Sequence, residues 1–439
     1  MSSDTDATGT HPLDRPVRAM LQVAMAVFAY TIAIGILNGL DLMEFSRTQL
    51  LSHLHGGTLG WMTLALLAAS VWLFAVEGSR TAAQAARPDA GTSGEAGAAG
   101  AAGAADSSPG TVRGLASLAC VAIPLYVLAF ATTTGFLRPV AGMLTLATLA
   151  GFAVWAFSRA RHVVLTVPRL LVLLGLAGSL IGGLFGVTNG LAIALDWRWL
   201  PETFFAAHAV TMEVGFVIPA ALGFAEWGLR RGQPDEPATR SGRLQVGLFA
   251  FAFVWMLGLI LADQSELAGT GVLFAIIGVV VFYVRTWRVL RSTPLTVRGH
   301  ARHALAGGVL IGVTLVYVFV AIQAAGGDFE QMARGQVLSF IHLMAVGGTT
   351  NALLAFVLYL SGRVVTSGPV DDLVFWGVNV GLVGFVVGLT AEVTGLVMAF
   401  VPVMGLALLL AIAVHLVALG RDPGAAIPPV GERGSPVGT

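Results

Sequence analysis

The sequence predicts an all-α integral membrane protein, a bundle of twelve transmembrane helices. Composition is the first ground for this: of 439 residues, 56% are hydrophobic and only 11% charged, against roughly 25% charged in a soluble globular domain. Mean hydropathy is correspondingly high, at +0.83. The third ground is spacing. Apolar runs of about 20 residues recur along the chain, the length an α-helix needs to cross a hydrocarbon core about 30 Å thick.

Residues 1–14 are polar and read as a disordered cytoplasmic tail. The first apolar run follows Arg15 and Arg18 and outlasts the h-region of a signal peptide, so it reads as a retained helix. Twelve spans follow: 17–39, 50–76, 114–136, 139–158, 168–195, 202–228, 244–262, 269–287, 303–325, 336–360, 373–397 and 399–419. They form one membrane domain over 15–419, interrupted at 78–112. That interruption, around Gly94-Glu95-Ala96-Gly97, carries no large apolar residue. It cannot bury enough surface to offset its ordering entropy, so a flexible cytoplasmic loop is expected there. The Pro- and Gly-rich stretch 420–439 reads as a second disordered cytoplasmic tail.

Arginine supplies all 24 basic residues. With the N-terminus placed in the cytoplasm, twenty arginines fall on the inner side. Only Arg47, Arg138, Arg198 and Arg334 fall on the outer side. This positive-inside bias orients the bundle in a bacterial-type cytoplasmic membrane with both termini inside, and it supports the helix count. Zero net charge argues against nucleic acid as a partner. A single cysteine, Cys120, excludes intramolecular disulfides, iron–sulfur clusters and thiolate zinc sites. No short repeat is present, which removes a solenoid.

The chemistry gathers in one layer. His53 and His55 lie near the start of span 2, His208 near the start of span 6 and His342 near the start of span 10. Under the orientation above, all four imidazoles sit about 5–10 Å below the outer boundary. Ionisable groups at such depth face the bundle interior with a partner. Imidazole is the commonest metal ligand and an axial ligand of haem iron. A single buried histidine more often bonds a backbone carbonyl and helps helices pack. A coplanar set on three helices reverses that balance. His55 is followed by Gly56, Gly57 and Gly60, and His342 by Gly347 and Gly348, which is the clearance a flat porphyrin needs. Small residues also promote plain helix packing in membranes. His53 and His55 are about 200° apart around one helix, so they cannot both face one iron. His55 is the favoured ligand. A second bound group, a haem propionate or the helix interface is left for His53.

Twelve spans with histidines in the second, sixth and tenth resemble subunit I of the haem-copper oxidase superfamily, which includes the nitric oxide reductases. His55 in His55-Gly56-Gly57-Thr58 resembles the family's span 2 ligand of a low-spin haem. In Phe340-Ile341-His342, His342 matches the second member of the family's span 10 His-x-His pair, and Phe340 stands where the first would be. Phe204-Phe205-Ala206-Ala207-His208 resembles the lead into a copper-ligating histidine. The span 7 histidine pair is missing from 244–262, and copper held by His208 alone would not persist. The resemblance therefore implies a low-spin, bis-histidine haem b between helices 2 and 10, ligated by His55 and His342. It further implies electron transport in a respiratory membrane, or O2- or NO-related redox chemistry. An oxidoreductase of the terminal oxidase or nitric oxide reductase type follows only if the binuclear centre is retained in an unusual form.

Arg47, Arg198 and Arg334 are the candidates to meet haem propionates. Trp197 and Trp199 beside Arg198 read equally well as an interfacial anchor. Implied partners are membrane lipid, a quinol or a cytochrome as redox partner, and another membrane subunit. Two rival readings are a secondary transporter, for which twelve helices is a common count, and a cofactor-free assembly partner of a respiratory complex. Carriers place polar groups near the midplane, whereas these histidines cluster toward one face.

Overall fold

The computed structural model describes residues 11–77, 109–133, 135–231, 233, 235–361 and 368–421. The expected tails and the 78–112 loop lie outside the described residues except at their edges, where helix begins by Asp14 and Pro109. The described residues form helices and no strands. Twelve helices are long and apolar enough to cross a membrane. In chain order they are α1 (Asp14–Gly39), α2 (Arg47–Val76), α3 (Pro109–Thr132), α4 (Leu137–Ala160), α5 (Val167–Ala194) and α6 (Thr203–Leu229). The second half comprises α7 (Arg240–Leu261), α8 (Ser265–Ser292), α9 (His300–Ala324), α10 (Arg334–Ser361), α11 (Gly368–Thr390) and α12 (Thr394–Leu419). The chain is a multi-pass membrane protein by the length and composition of these helices.

One boundary departs from the sequence reading. Span 11 was expected to run to residue 397, yet the chain turns at 391–393 with Glu392 at φ 58°. No glycine or proline marks this turn, and Val393, Leu396 and Val397 continue the apolar pattern across it. Glu392 is consequently an exposed turn residue, not a membrane acid.

Burial sorts the helices into two layers. The most apolar stretches of α2, α6 and α10 are 100%, 67% and 83% buried, against 33–50% for the other nine. A helix apolar on all sides belongs inside, and these three form the centre. Around them α3 packs on α4, α4 on α5, α7 on α8, α8 on α9, α11 on α12 and α12 on α1. The outer helices turn residues such as Leu128, Val154 and Val284 away from the bundle. These suit lipid as solvent.

At the end that holds the termini, the bundle is solid. Phe356 of α10 sits against Trp72 of α2 and both Phe224 and Trp227 of α6. Glu77, just past α2, pairs with Arg231 and lies 3.9 Å from Arg169, while Trp227 Nε1 donates to it at 3.2 Å. Glu226 is 1% exposed and bonds Arg285 at 2.7 and 3.0 Å. Arg302 holds Asp371 at 3.0 Å and Asp372 at 2.7 Å. Arg18 of α1 reaches the carbonyl of Leu419 at 3.5 Å, which ties the two termini together.

Candidate functional site

The opposite end of the bundle is hollow. A cavity of about 1230 Å³ is lined by all four histidines of the predicted layer: His53, His55, His208 and His342. Ligand pockets ordinarily run to about 300–1,000 Å³, so this one exceeds the room a single small cofactor needs. Its lining reaches the loop residues Asp41 and Asp328 and the first residues of α8 and α12, Ser265 and Thr394, so it meets the surface at the histidine end.

The backbone of each central helix changes pitch beside its histidines. In α2 the π turn Gly56–Thr63 follows His55, and in α10 the π turn Leu343–Thr350 follows His342. In α6 the π turn Thr211–Val217 begins three residues beyond His208. A π turn widens the helix and frees a carbonyl from its usual partner, and such turns concentrate at functional sites. Local side chains satisfy the widened turns. Thr63 donates to Thr58 O, Thr349 to Met344 O and Thr350 to Ala345 O, each reaching back five residues. Trp61 Nε1 then donates to Thr350 Oγ1 at 3.0 Å and fastens the π turn of α2 to that of α10. A capping box at Ser46 and Gln49 fixes where α2 starts, and with it the height of His53 and His55.

Hydrogen bonding fixes the tautomer of each ring. His55 Nδ1 lies 2.7 Å from Leu51 O and His342 Nδ1 lies 2.8 Å from Leu338 O, both four residues back on the same helix. His53 Nδ1 lies 2.8 Å from Thr31 O on α1, and His208 Nδ1 lies 2.8 Å from Gly182 O on α5. A carbonyl only accepts, so in all four cases Nδ1 carries the proton and donates. In the neutral ring the lone pair is then on Nε2, which is the ligand atom left to each of these cavity-lining residues. Metal-bound histidines are held in the same way, by donating the other ring nitrogen to a carbonyl or carboxylate.

The four rings sort into two pairs. His342 is within electrostatic reach of His53, and His55 within reach of His208 and Arg138. The surroundings agree. His53 leans on Gly35 of α1, and His342 meets Phe385 of α11 edge-on at 4.9 Å. His55 stacks on Phe130 of α3 at 3.8 Å and 15°, and His208 lies over Gly186 of α5. The 200° between His53 and His55 thus sends them to opposite sides of α2. The sequence reading set His55 across from His342; the imidazole whose charge His342 feels is that of His53.

Other expected residues separate in the same plain manner. Gly57, Arg47 and Arg334 line the cavity. Gly56 and Gly347 are absent from that lining and serve helix packing. A Cβ on Gly56 would lie 2.3 Å from Thr31 Oγ1, and one on Gly347 would lie 2.9 Å from Leu382 Cδ2. Arg198 is turned outward, 86% exposed and 3.1 Å from Asp196. Glu213 also lines the cavity. His303 and His415 lie elsewhere and bond Asn351 at 3.0 Å and Ser361 at 3.2 Å.

Arg138 is the site residue whose importance the sequence concealed. It is 7% exposed and lies 4.5 Å over the Phe130 ring, on which His55 stacks. It donates to Thr133 O at 2.6 Å and Phe130 O at 3.4 Å, while its buried Nε has no partner. No ion pair joins it to an acid among the described residues. Position alone, as one of four arginines at its end of the bundle, was the only signal.

The donor set fits haem better than a bare ion. Among the described residues no three histidines, cysteines or acids converge as a metal ion would require. Two imidazoles on one apolar cavity would suffice to hold a porphyrin, because the macrocycle would supply the other four nitrogens. No protein-family model matches the chain, and a comparison with curated proteins finds no match.

Proposed function

We propose that this protein binds haem within the membrane through a bis-histidine site between α2 and α10 and acts in electron transfer. The observation that carries the reading is the set of Nδ1–H···O=C bonds, which leaves Nε2 basic on cavity-lining imidazoles from both helices. His342 and His53 are the residues that would hold the group. Thr31 O and Leu338 O orient the two rings, the apolar lining of Ile32, Val401 and Leu408 excludes water, and Phe385 buttresses His342. Bound haem supplies a reversible one-electron change at iron. With both axial positions filled by protein, the site suits carrying electrons over binding a gas. Arg47 and Arg334, at the mouth of the cavity, are placed to meet carboxylates of the cofactor.

Kinship with haem-copper oxidase subunit I is part of this reading. It is supported by α2, α6 and α10 being both the histidine-bearing and the central helices. A quinol or a cytochrome is the redox partner it implies. A cytoplasmic membrane with inside termini is the location the arginine bias supports.

The test is a visible spectrum of the detergent-purified protein, oxidised and dithionite-reduced. A sharp reduced α-band that carbon monoxide leaves in place is expected, with loss of intensity on His342→Ala or His53→Ala. A colourless protein, or a spectrum indifferent to both substitutions, would overturn the assignment.

A further inference from the structure

We infer that the chain holds a second iron-porphyrin site, between α2 and α6, with His55 and His208 as its axial pair. The inference rests on the haem reading above and extends it from one cofactor to two.

The two histidine pairs share one construction. In each, one imidazole is anchored to the carbonyl four residues back on its own helix: Leu51 O for His55 and Leu338 O for His342. The other reaches across to a neighbouring helix and lies over a glycine four residues beyond the carbonyl it bonds. His53 donates to Thr31 O and lies over Gly35, and His208 donates to Gly182 O and lies over Gly186. A Cβ at Gly35 would stand 3.1 Å from His53 Cε1, and one at Gly186 would stand 2.9 Å from His208 Cε1. Each glycine therefore lets a ring lie close against a helix, where a side chain would displace it. Imidazoles that merely satisfy a packing interface have no reason to repeat this arrangement on both sides of α2.

The α2–α6 compartment has its own furnishings. Phe130 stacks on His55 and fixes its plane. Leu146, Leu149 and Val187 provide an apolar wall. Arg138 lies beside His55 as a buried cation whose Nε is unsatisfied, and no described acid pairs with it. Leaving a charged donor unsatisfied in a buried site is expensive. An anionic edge group removes that penalty, and a porphyrin propionate entering at the cavity mouth is such a group. With about 1230 Å³ spread on both sides of α2, there is room for a cofactor in each compartment.

The experiment is haem quantitation per polypeptide on the full-length purified protein, by pyridine haemochromogen absorbance against amino-acid analysis, with a redox titration. Two haems per chain and two one-electron components are expected. His208→Gly should leave one haem and one component, His342→Gly should leave the other, and free imidazole should restore the missing one in each. Arg138→Gln should move only the His208-dependent component to lower potential, because loss of a nearby cation disfavours the reduced, less positive iron. One haem per chain that His208→Gly leaves intact would overturn the second site and spare the first. Loss of both haems in His208→Gly without imidazole rescue would also overturn two separate sites. A chain with no haem would remove both proposals.

Discussion

At the histidine end, α2, α6 and α10 stand apart around a cavity of about 1230 Å³, their backbones loosened by π turns and their imidazoles tied by one nitrogen each. At the end holding the termini, the same helices close on Phe356. Glu77, Glu226 and Asp371, all buried there, each have an arginine. The comparison teaches where stability and chemistry are lodged. One end is consolidated by buried ion pairs and ring contacts, and the other can give its volume to a cofactor because of that consolidation.

The contrast breaks most sharply at Glu77. Glu77→Ala leaves Arg231 without its acid in a poorly solvated place, while Arg169 keeps Asp235 at 2.9 Å, and removing one partner of a buried pair costs about 3–5 kcal/mol. Unfolding in detergent should shift by that amount, while the absorption spectrum of the folded fraction stays as in the parent. A change in haem environment of equal weight would show that the two ends are not separate.

Adjacent glycines sharpen the comparison within the histidine end. A methyl at position 56 would stand against Thr31 Oγ1, so Gly56→Ala should destabilise by about 1–3 kcal/mol through overpacking. At position 57 the nearest atom would be 3.6 Å away, in ordinary contact. Gly57→Ala should leave unfolding unchanged and shift only the absorption band, since that residue lines the cavity.

Smaller still is Trp61→Phe, which removes the bond to Thr350 and keeps the stack on Phe28 at 5.1 Å. A loss of about 0.5–1.5 kcal/mol is expected in the same unfolding assay. The smallest effect belongs to Arg198→Ala. This side chain is exposed and outside the cavity, so neither haem content nor melting temperature should move.

Much of the fold was legible because length and hydropathy alone select membrane helices. Eleven of the twelve spans lie within five residues of their expected places at both ends, and span 11 ends seven residues early, at Thr390 against 397. The 391–393 turn escaped because Glu392 takes a left-handed conformation inside an unbroken apolar pattern. Glu226 is sealed under Arg285, a partner contributed by another helix and so invisible along the chain.

The histidine layer was legible from simple depth counting, since a rise per residue converts position into height. Which ring stands by which was not. Angular position follows from helix packing and from π turns, and neither leaves a periodic mark in the sequence. Arg138 shows the same limit: nothing near it announces that its side chain folds inward over Phe130.

Among the described residues the cavity lining meets the surface at the histidine end, and paired arginines and aromatic rings stopper the other. Were haem held there as proposed, electrons delivered and withdrawn across that one face would traverse little of the membrane's electric field. Since the work done by that field scales with the charge and the fraction of the potential crossed, turnover through such a site would generate almost no voltage and would be nearly indifferent to it.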